Sequence, residues 1–354
     1  MKQPRPAAKQ KRQRRRWRWH IPPAILQGEE KLEGMELLDE LQASRTVEVD
    51  RETGLVLWQS LRDVTLWASF DTMGQPGAQD AADEDTGKQK PMRDYRPTVA
   101  DRAGLFSSTA AERRNASLAR IDPELGITDP LRVLAGLLED PLGTPQEVVT
   151  GACGEISHWA EEHELMATAL AFGQAAALAS PRNPVTGLRV GKLARKKGEN
   201  ARAETWFRRT VGLARQAKDW ASYAEAFLWL GNLYVQRGSF PVARHLFIRS
   251  ARAAKRHSLR NVHAGALHDL LVVAVLTGNI QEAASLARAA FDTYGTEHPR
   301  LPALAHDIAY FWMRLGQFEP ALAVVEVLLP EMRTAASRMV VLGSIARAAG
   351  GVGD

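Results

Sequence analysis

Between residues 224 and 257 the apolar positions form one helical stripe, break briefly, and resume as a second. Phe227, Leu230 and Tyr234 fall at i, i+3 and i+7, the spacing that brings side chains to one face of a helix. Gly231 lies on that stripe and leaves room for a second helix to come close. Gly238 follows the last periodic residue and suits the left-handed conformation that ends a helix. Phe240, Ala243, Phe247 and Ala251 then continue at helical spacing, with alanines where two helices would cross. The pattern predicts a helical hairpin.

The pattern recurs. Gly198, Gly238, Gly278, Gly316 and Gly350 make a series with spacings of 40, 40, 38 and 34 residues, and Ala203, Ala243, Ala283 and Ala321 stand at one offset behind the first four. An earlier hairpin over 146–181 has Ala169, Ala176 and Pro181 in phase, with Ser157 in place of the glycine of its first helix. The terminal helix, expected over 336–349, carries Met339, Val340, Val341, Leu342 and Ile345 on more than one face. It either caps the array or leaves an apolar edge for further repeats or another subunit.

Upstream the periodicity is looser. Leu32, Met35, Leu38 and Leu41 predict an amphipathic helix over 29–43. Residues 46–58 allow a short β-hairpin, but Leu55, Trp58, Leu61, Val64, Leu66 and Trp67 keep a helical period, so a helix over 54–70 is preferred. Residues 71–102 hold glycine, proline and mixed charge with few large apolar side chains and read as a linker. Short helices over 109–119 and 130–139 follow, punctuated by Pro123, Pro130 and Pro141. The division is therefore a disordered basic tail over 1–20, a small helical unit over 21–70, a flexible linker over 71–102 and a helical repeat domain over 103–354.

The residues quoted for 224–257 resemble a tetratricopeptide repeat (TPR). Stretches 184–217 and 302–335 follow the pattern less closely, and 264–297 departs from it at Leu271 and Ala274. Three of the spacings exceed the usual period of about 34 residues, so the unit is a lengthened version. The resemblance covers about half of the chain. It implies an all-α, right-handed solenoid of helical hairpins that binds a partner peptide or helix in a concave groove lined by the first helix of each repeat, as an adaptor without catalysis. Carried over repeat by repeat, the groove positions are Lys192, Arg195 and Lys196, then Asn232 and Gln236, then His268, and finally His306, Tyr310 and Arg314. Some TPR proteins clamp a terminal carboxylate, but Leu228 stands where that clamp has a lysine. His268-Asp269 and His306-Asp307 take the same place in successive repeats. Either both histidines face the groove and charge it below pH ~6.5, or they serve packing.

Charge changes the picture at one end. The net +5 divides into +9 within residues 1–20, which contain no acid, and −4 over the rest. Arg12, Arg14, Arg15, Arg16 and Arg18, interleaved with Trp17 and Trp19, fit a nucleic-acid arm, an anionic membrane surface, or a solvated extension without a ligand. The first of these supports an alternative function, a nucleic-acid-associated regulator whose repeats sense or bind another protein.

Candidate chemistry is sparse. The single cysteine, Cys153, excludes an internal disulfide framework and reads as a buried hydrophobe. Gly187 to Leu193 falls one residue short of a phosphate-binding loop and lacks its Ser or Thr. His158 with His163, and His257 with His263 and His268, lack metal-ligand spacing. No cofactor, metal or catalytic set is expected. No apolar run is long enough to span a bilayer and no secretory signal is recognised, so a cytoplasmic location is the expectation.

Overall fold

A computed structural model describes residues 51–71, 106–332 and 334–353. The tail, the helix expected over 29–43 and all but the first residue of the linker lie outside the described residues. The preferred helix over 54–70 is α1 (Arg51–Asp71), which begins three residues early. Two short helices follow, α2 (Ser108–Leu118) and α3 (Thr128–Gly136).

Five pairs and a single helix complete the described residues. The pairs are α4 (Gln146–Glu162) with α5 (Met166–Ala179), α6 (Pro184–Lys196) with α7 (Asn200–Ala217), α8 (Trp220–Gln236) with α9 (Phe240–Arg256), and α10 (Arg260–Leu276) with α11 (Ile280–Tyr294). A fifth pair, α12 (Leu301–Arg314) with α13 (Phe318–Leu328), precedes the terminal α14 (Ala335–Val352). Among the described residues there is no strand. Each helix packs on its sequence neighbour, so the described part is an all-α, TPR-like solenoid of hairpins.

The turns explain the marker glycines. Gly198, Gly238, Gly278 and Gly316 have φ of 86°, 71°, 76° and 75°, the left-handed region that ends a helix. The following amide reaches back five residues to close the turn, as in Ser239 N to Tyr234 O at 2.9 Å. Residue Gly350 does not belong to this series. It lies inside α14, which continues to Val352 and closes on Gly353 at φ 99°. Glu164, Lys218 and Ser258 adopt the left-handed region without being glycine, and close α4, α7 and α9 with the same backward bond.

Inside each hairpin, one position on the first helix faces another sixteen residues later. An added Cβ on Gly191 would come 2.5 Å from the Phe207 ring, and one on Gly231 would come 2.3 Å from the Phe247 ring. Both phenylalanines are fully buried. In the next two hairpins the same positions hold Leu271 with Ala287, the larger side chain now on the first helix, and Ala309 with Val325, which divide the volume between the two helices. Across these four hairpins the summed volume at the crossing is roughly retained, which is how close-packed interiors tolerate substitution, and the earliest hairpin is the exception. In the earliest hairpin both partners are small, Ser157 and Gly173, and the Ser157 hydroxyl donates to Ala169 O at 2.7 Å.

Helix α1 packs on the helices that follow it. Val56, Leu57, Val64 and Trp67 are buried in the same core as α3, α4 and α5. A buried ion pair, Arg114 to Asp63 at 2.5 Å, ties α1 to α2, and the Trp67 indole N–H donates to Pro141 O at 2.6 Å. Val341 and Ala348 of α14 are buried against α12 and α13, while Met339, Val340 and Leu342 remain exposed.

Candidate functional site

Curvature follows from which helices touch. The first helices α6, α8, α10, α12 and α14 contact one another in succession, whereas the second helices α5, α7, α9, α11 and α13 hardly meet. Spacing is therefore narrower on the first-helix side, which becomes the inner wall.

Polar side chains stitch that wall from repeat to repeat. Glu161 of α4 receives Arg189 at 3.1 Å and Lys196, both of α6. Lys192 bonds Glu225 of α8 at 2.8 Å. The Asn232 amide donates to Asp269 of α10 at 3.1 Å. His268 bonds Asp307 of α12 at 2.9 Å through Nε2, and His306 bonds Ser344 of α14 at 2.9 Å through Nε2. A second bond, His306 Nδ1 to Asp307 at 3.3 Å, makes Asp307 the shared acceptor of both histidines.

Burial sets the charges in this ladder. Desolvation pushes the Asp269 carboxyl up to about 6, although His268, Arg300 and the Asn232 bond all favour its ionised form. Burial would also raise Asp307, but the hydrogen bonds from His268 and His306 overcome it and hold that carboxyl below the usual range. Two neighbouring aspartates are thus separated in acidity by how many donors each one receives. The Tyr294 hydroxyl lies 3.4 Å from His268 Nδ1, and desolvation raises its pKa.

At the centre of the wall, Trp229 stacks on Phe207 with ring centroids 6.4 Å apart. The Arg195 guanidinium lies over its indole at 4.7 Å and the Lys192 ammonium at 5.6 Å. Cation–indole contacts of this kind hold flexible side chains in place.

The groove residues named from the sequence divide accordingly. Lys192, Lys196, Asn232, His268 and His306 are brought together, but as bonds between repeats. His268 is buried at 6% exposure and serves packing, so it is not an open groove histidine. His306 is partly buried. Arg195 is occupied with Trp229. Tyr310 is partly buried beneath Arg347, whose guanidinium lies 5.7 Å from its ring, and Gln236 and Arg314 are exposed at the ends of α8 and α12. The arm residues Arg12, Arg14, Arg15, Arg16, Trp17, Arg18 and Trp19 lie outside the described residues. Sequence reasoning missed Glu225, Trp229, Asp269 and Asp307 as working parts of the wall. The repeated His-Asp pairs were their visible signal, but each aspartate bonds a side chain of the preceding repeat.

Among the described residues no group of three or more His, Cys, Asp or Glu could hold a metal ion, and no helix is long and apolar enough to cross a membrane.

No family model and no curated protein matches the chain. Solved structures do. The nearly identical TPR-like repeats of a Podosopora anserina putative kinesin light chain are 19% identical, with a TM-score of 0.40 over 49% of this chain and 88% of that one. The APC/C hetero-tetramer Cut9-Hcn1 is similar at 12% identity and a TM-score of 0.45, covering 93% of this chain and 66% of that one. Yeast Tom70 is similar at 13% identity and a TM-score of 0.38, covering 93% and 72%.

Proposed function

We propose that the protein is a non-enzymatic interaction scaffold that holds a partner peptide or helix against its inner wall. The observation that supports this most directly is the pre-ordered state of the wall. Its polar groups are locked by the ladder and by Trp229, so a partner meets a surface whose side-chain entropy has already been lost. Selectivity then falls to the side chains at its rim, Gln236, Tyr310 and Arg314, with Lys196 at the other end. A cytoplasmic setting belongs to the same proposal. It is motivated by the single, buried Cys153, since a chain without disulfides suits a reducing compartment.

The test uses the full chain. Proteins that co-purify with it are identified, and the affinity of each is measured again for Gln236→Arg with Arg314→Glu, both at exposed positions. A loss of at least about tenfold, or about 1.4 kcal/mol, is expected with the circular dichroism unchanged. Equal affinity for every partner refutes the wall as the binding surface. Repeating the measurement without residues 1–20 addresses the nucleic-acid regulator reading: nucleic-acid binding that vanishes with those residues and falls steeply with salt would favour it.

A further inference from the structure

The outer side of the array carries a second candidate surface, independent of the inner wall. Because α7 and α9 diverge, they leave a cleft of about 590 Å³ between them, floored by α8. Val211, Leu230, Val242 and Leu246 give it an apolar lining, and Arg208 and Arg249 stand at its rim.

Both outer helices that border it are basic. Helix α7 carries Arg202, Arg208, Arg209 and Arg215 against Glu204 alone, a net +3. Helix α9 carries Arg244, Arg249, Arg252, Lys255 and Arg256 with no acid, a net +5. The neighbouring outer helices are different: α5 has no charged residue, α11 is net −1 with Arg288 against Glu282 and Asp292, and α13 is net −2 with Glu319 and Glu326.

Charge pairing separates the two sides further. On the inner wall Arg189, Lys192 and Lys196 are all matched to glutamates. On the outer side Arg208 shares Glu204 with Arg237, and Arg244 reaches Glu282. No ion pair is made by Arg215, Arg249, Arg252, Lys255 or Arg256 among the described residues. Arg249 itself lies over the Phe227 ring at 4.2 Å, with one long bond to the Tyr223 hydroxyl at 3.4 Å.

The combination is specific to this interface. One repeat of 40 residues later, Ile248 stands for Arg208, Glu282 for Val242 and Ala289 for Arg249. There the rim has lost both guanidiniums and gained an acid.

We propose that the α7–α9 cleft docks an acidic amphipathic segment of a partner protein, its apolar side chains entering between Val242 and Leu246 and its carboxylates meeting Arg249 and Arg252. Charge complementarity supplies the sign, and the apolar lining decides the class. A nucleic-acid strand needs cations but no aliphatic trough, and stacks its bases on open aromatic faces. Here those faces are covered, Phe227 by Arg249 and Tyr234 by Arg237 at 5.3 Å. A helical segment with apolar residues at i, i+3, i+4 and i+7 uses both features at once.

The test uses the full chain and two labelled synthetic peptides of about 18 residues, enough for several helical turns. Both contain the same Glu, Leu and Ala residues. One has leucines on a single helical face, and the other has the order scrambled, which measures what charge alone contributes, residues 1–20 included. Fluorescence anisotropy should show the ordered peptide binding at least tenfold more tightly. Val242→Glu with Arg249→Ala imports the residue types of the next repeat and should abolish that difference with the circular dichroism unchanged. Equal affinity of the two peptides, or a difference that survives in the variant, overturns the proposal. A single-stranded DNA that binds more tightly than the ordered peptide and weakens in the same variant overturns it in favour of nucleic acid.

Discussion

If summed volume across the four later hairpin crossings is what those repeats retain, exchanging the partners should hurt less than changing either one. The Phe247 ring is fully buried against Gly231, where even a Cβ would come within 2.3 Å of it. Phe247→Ala alone removes that ring and should cost about 3–5 kcal/mol through lost burial and the cavity left behind. Gly231→Leu alone forces a side chain into the ring, costing about 1–3 kcal/mol of overpacking, against which helix propensity returns about 1 kcal/mol. The double variant recreates the Leu271 and Ala287 arrangement of the next repeat. Its leucine refills the cavity, so it should lose only about 1–2 kcal/mol and the two positions should couple by at least about 1 kcal/mol. Equilibrium urea unfolding followed by far-ultraviolet circular dichroism on all four proteins measures this. A double variant that falls within about 0.5 kcal/mol of the sum of the singles would falsify the compensation account.

Two further outcomes follow from burial. The folded-state Asp269 carboxyl, at about 6, lies above its unfolded value, so its contribution to stability is fully present below pH ~4 and is lost as pH rises through 6. Wild type should lose about 2 kcal/mol from this group between pH 4.5 and 7.5, while Asp269→Asn should not; equal pH slopes in urea titrations would contradict the burial of that charge. Asp307 acts with the opposite sign and at lower pH, because its carboxyl is depressed. Cys153 is fully buried, and desolvation pushes its thiol up to about 12. It should stay unreactive toward a disulfide reagent at pH 8 and become fully reactive in guanidinium, as absorbance at 412 nm reports; rapid labelling of native protein would place it at an opening not described here.

The hairpins were legible in sequence because their signals are local. A glycine at the turn, an alanine at fixed offset and a 3.6-residue stripe each depend on a few consecutive residues. Gly350 shows the limit of the marker, since a glycine can also sit in a helix interior when its neighbours hold the turn elsewhere. Glu164, Lys218 and Ser258 carried no signal, because nothing in a non-glycine residue announces a left-handed backbone. The repeat over 264–297 looked poor because Leu271 replaces a glycine, and only the partner position, Ala287, shows why it fits. The site was less legible for the same reason. Asn232 with Asp269 and His268 with Asp307 are 37 and 39 residues apart, so which of them meet depends on how one repeat sits on the next. The partners of α1 were not legible either, because a periodic stripe tells that a helix is buried, but not by what.

The stitches of the inner wall have a mechanical meaning as well. They lie on the short side of the curve and join consecutive repeats one at a time, so a load drawn along the array passes through them in series. Straightening the solenoid would stretch that side first, while the diverging outer helices share fewer bonds, such as Arg244 with Glu282. Extension would then begin at the weakest link rather than everywhere. The ion pairs of Glu161 with Arg189 and Lys196 make the first joint stiff, whereas the last, His306 to Ser344, ends on a neutral hydroxyl. The last joint should therefore give way before the first, and the spring should yield from its C-terminal end.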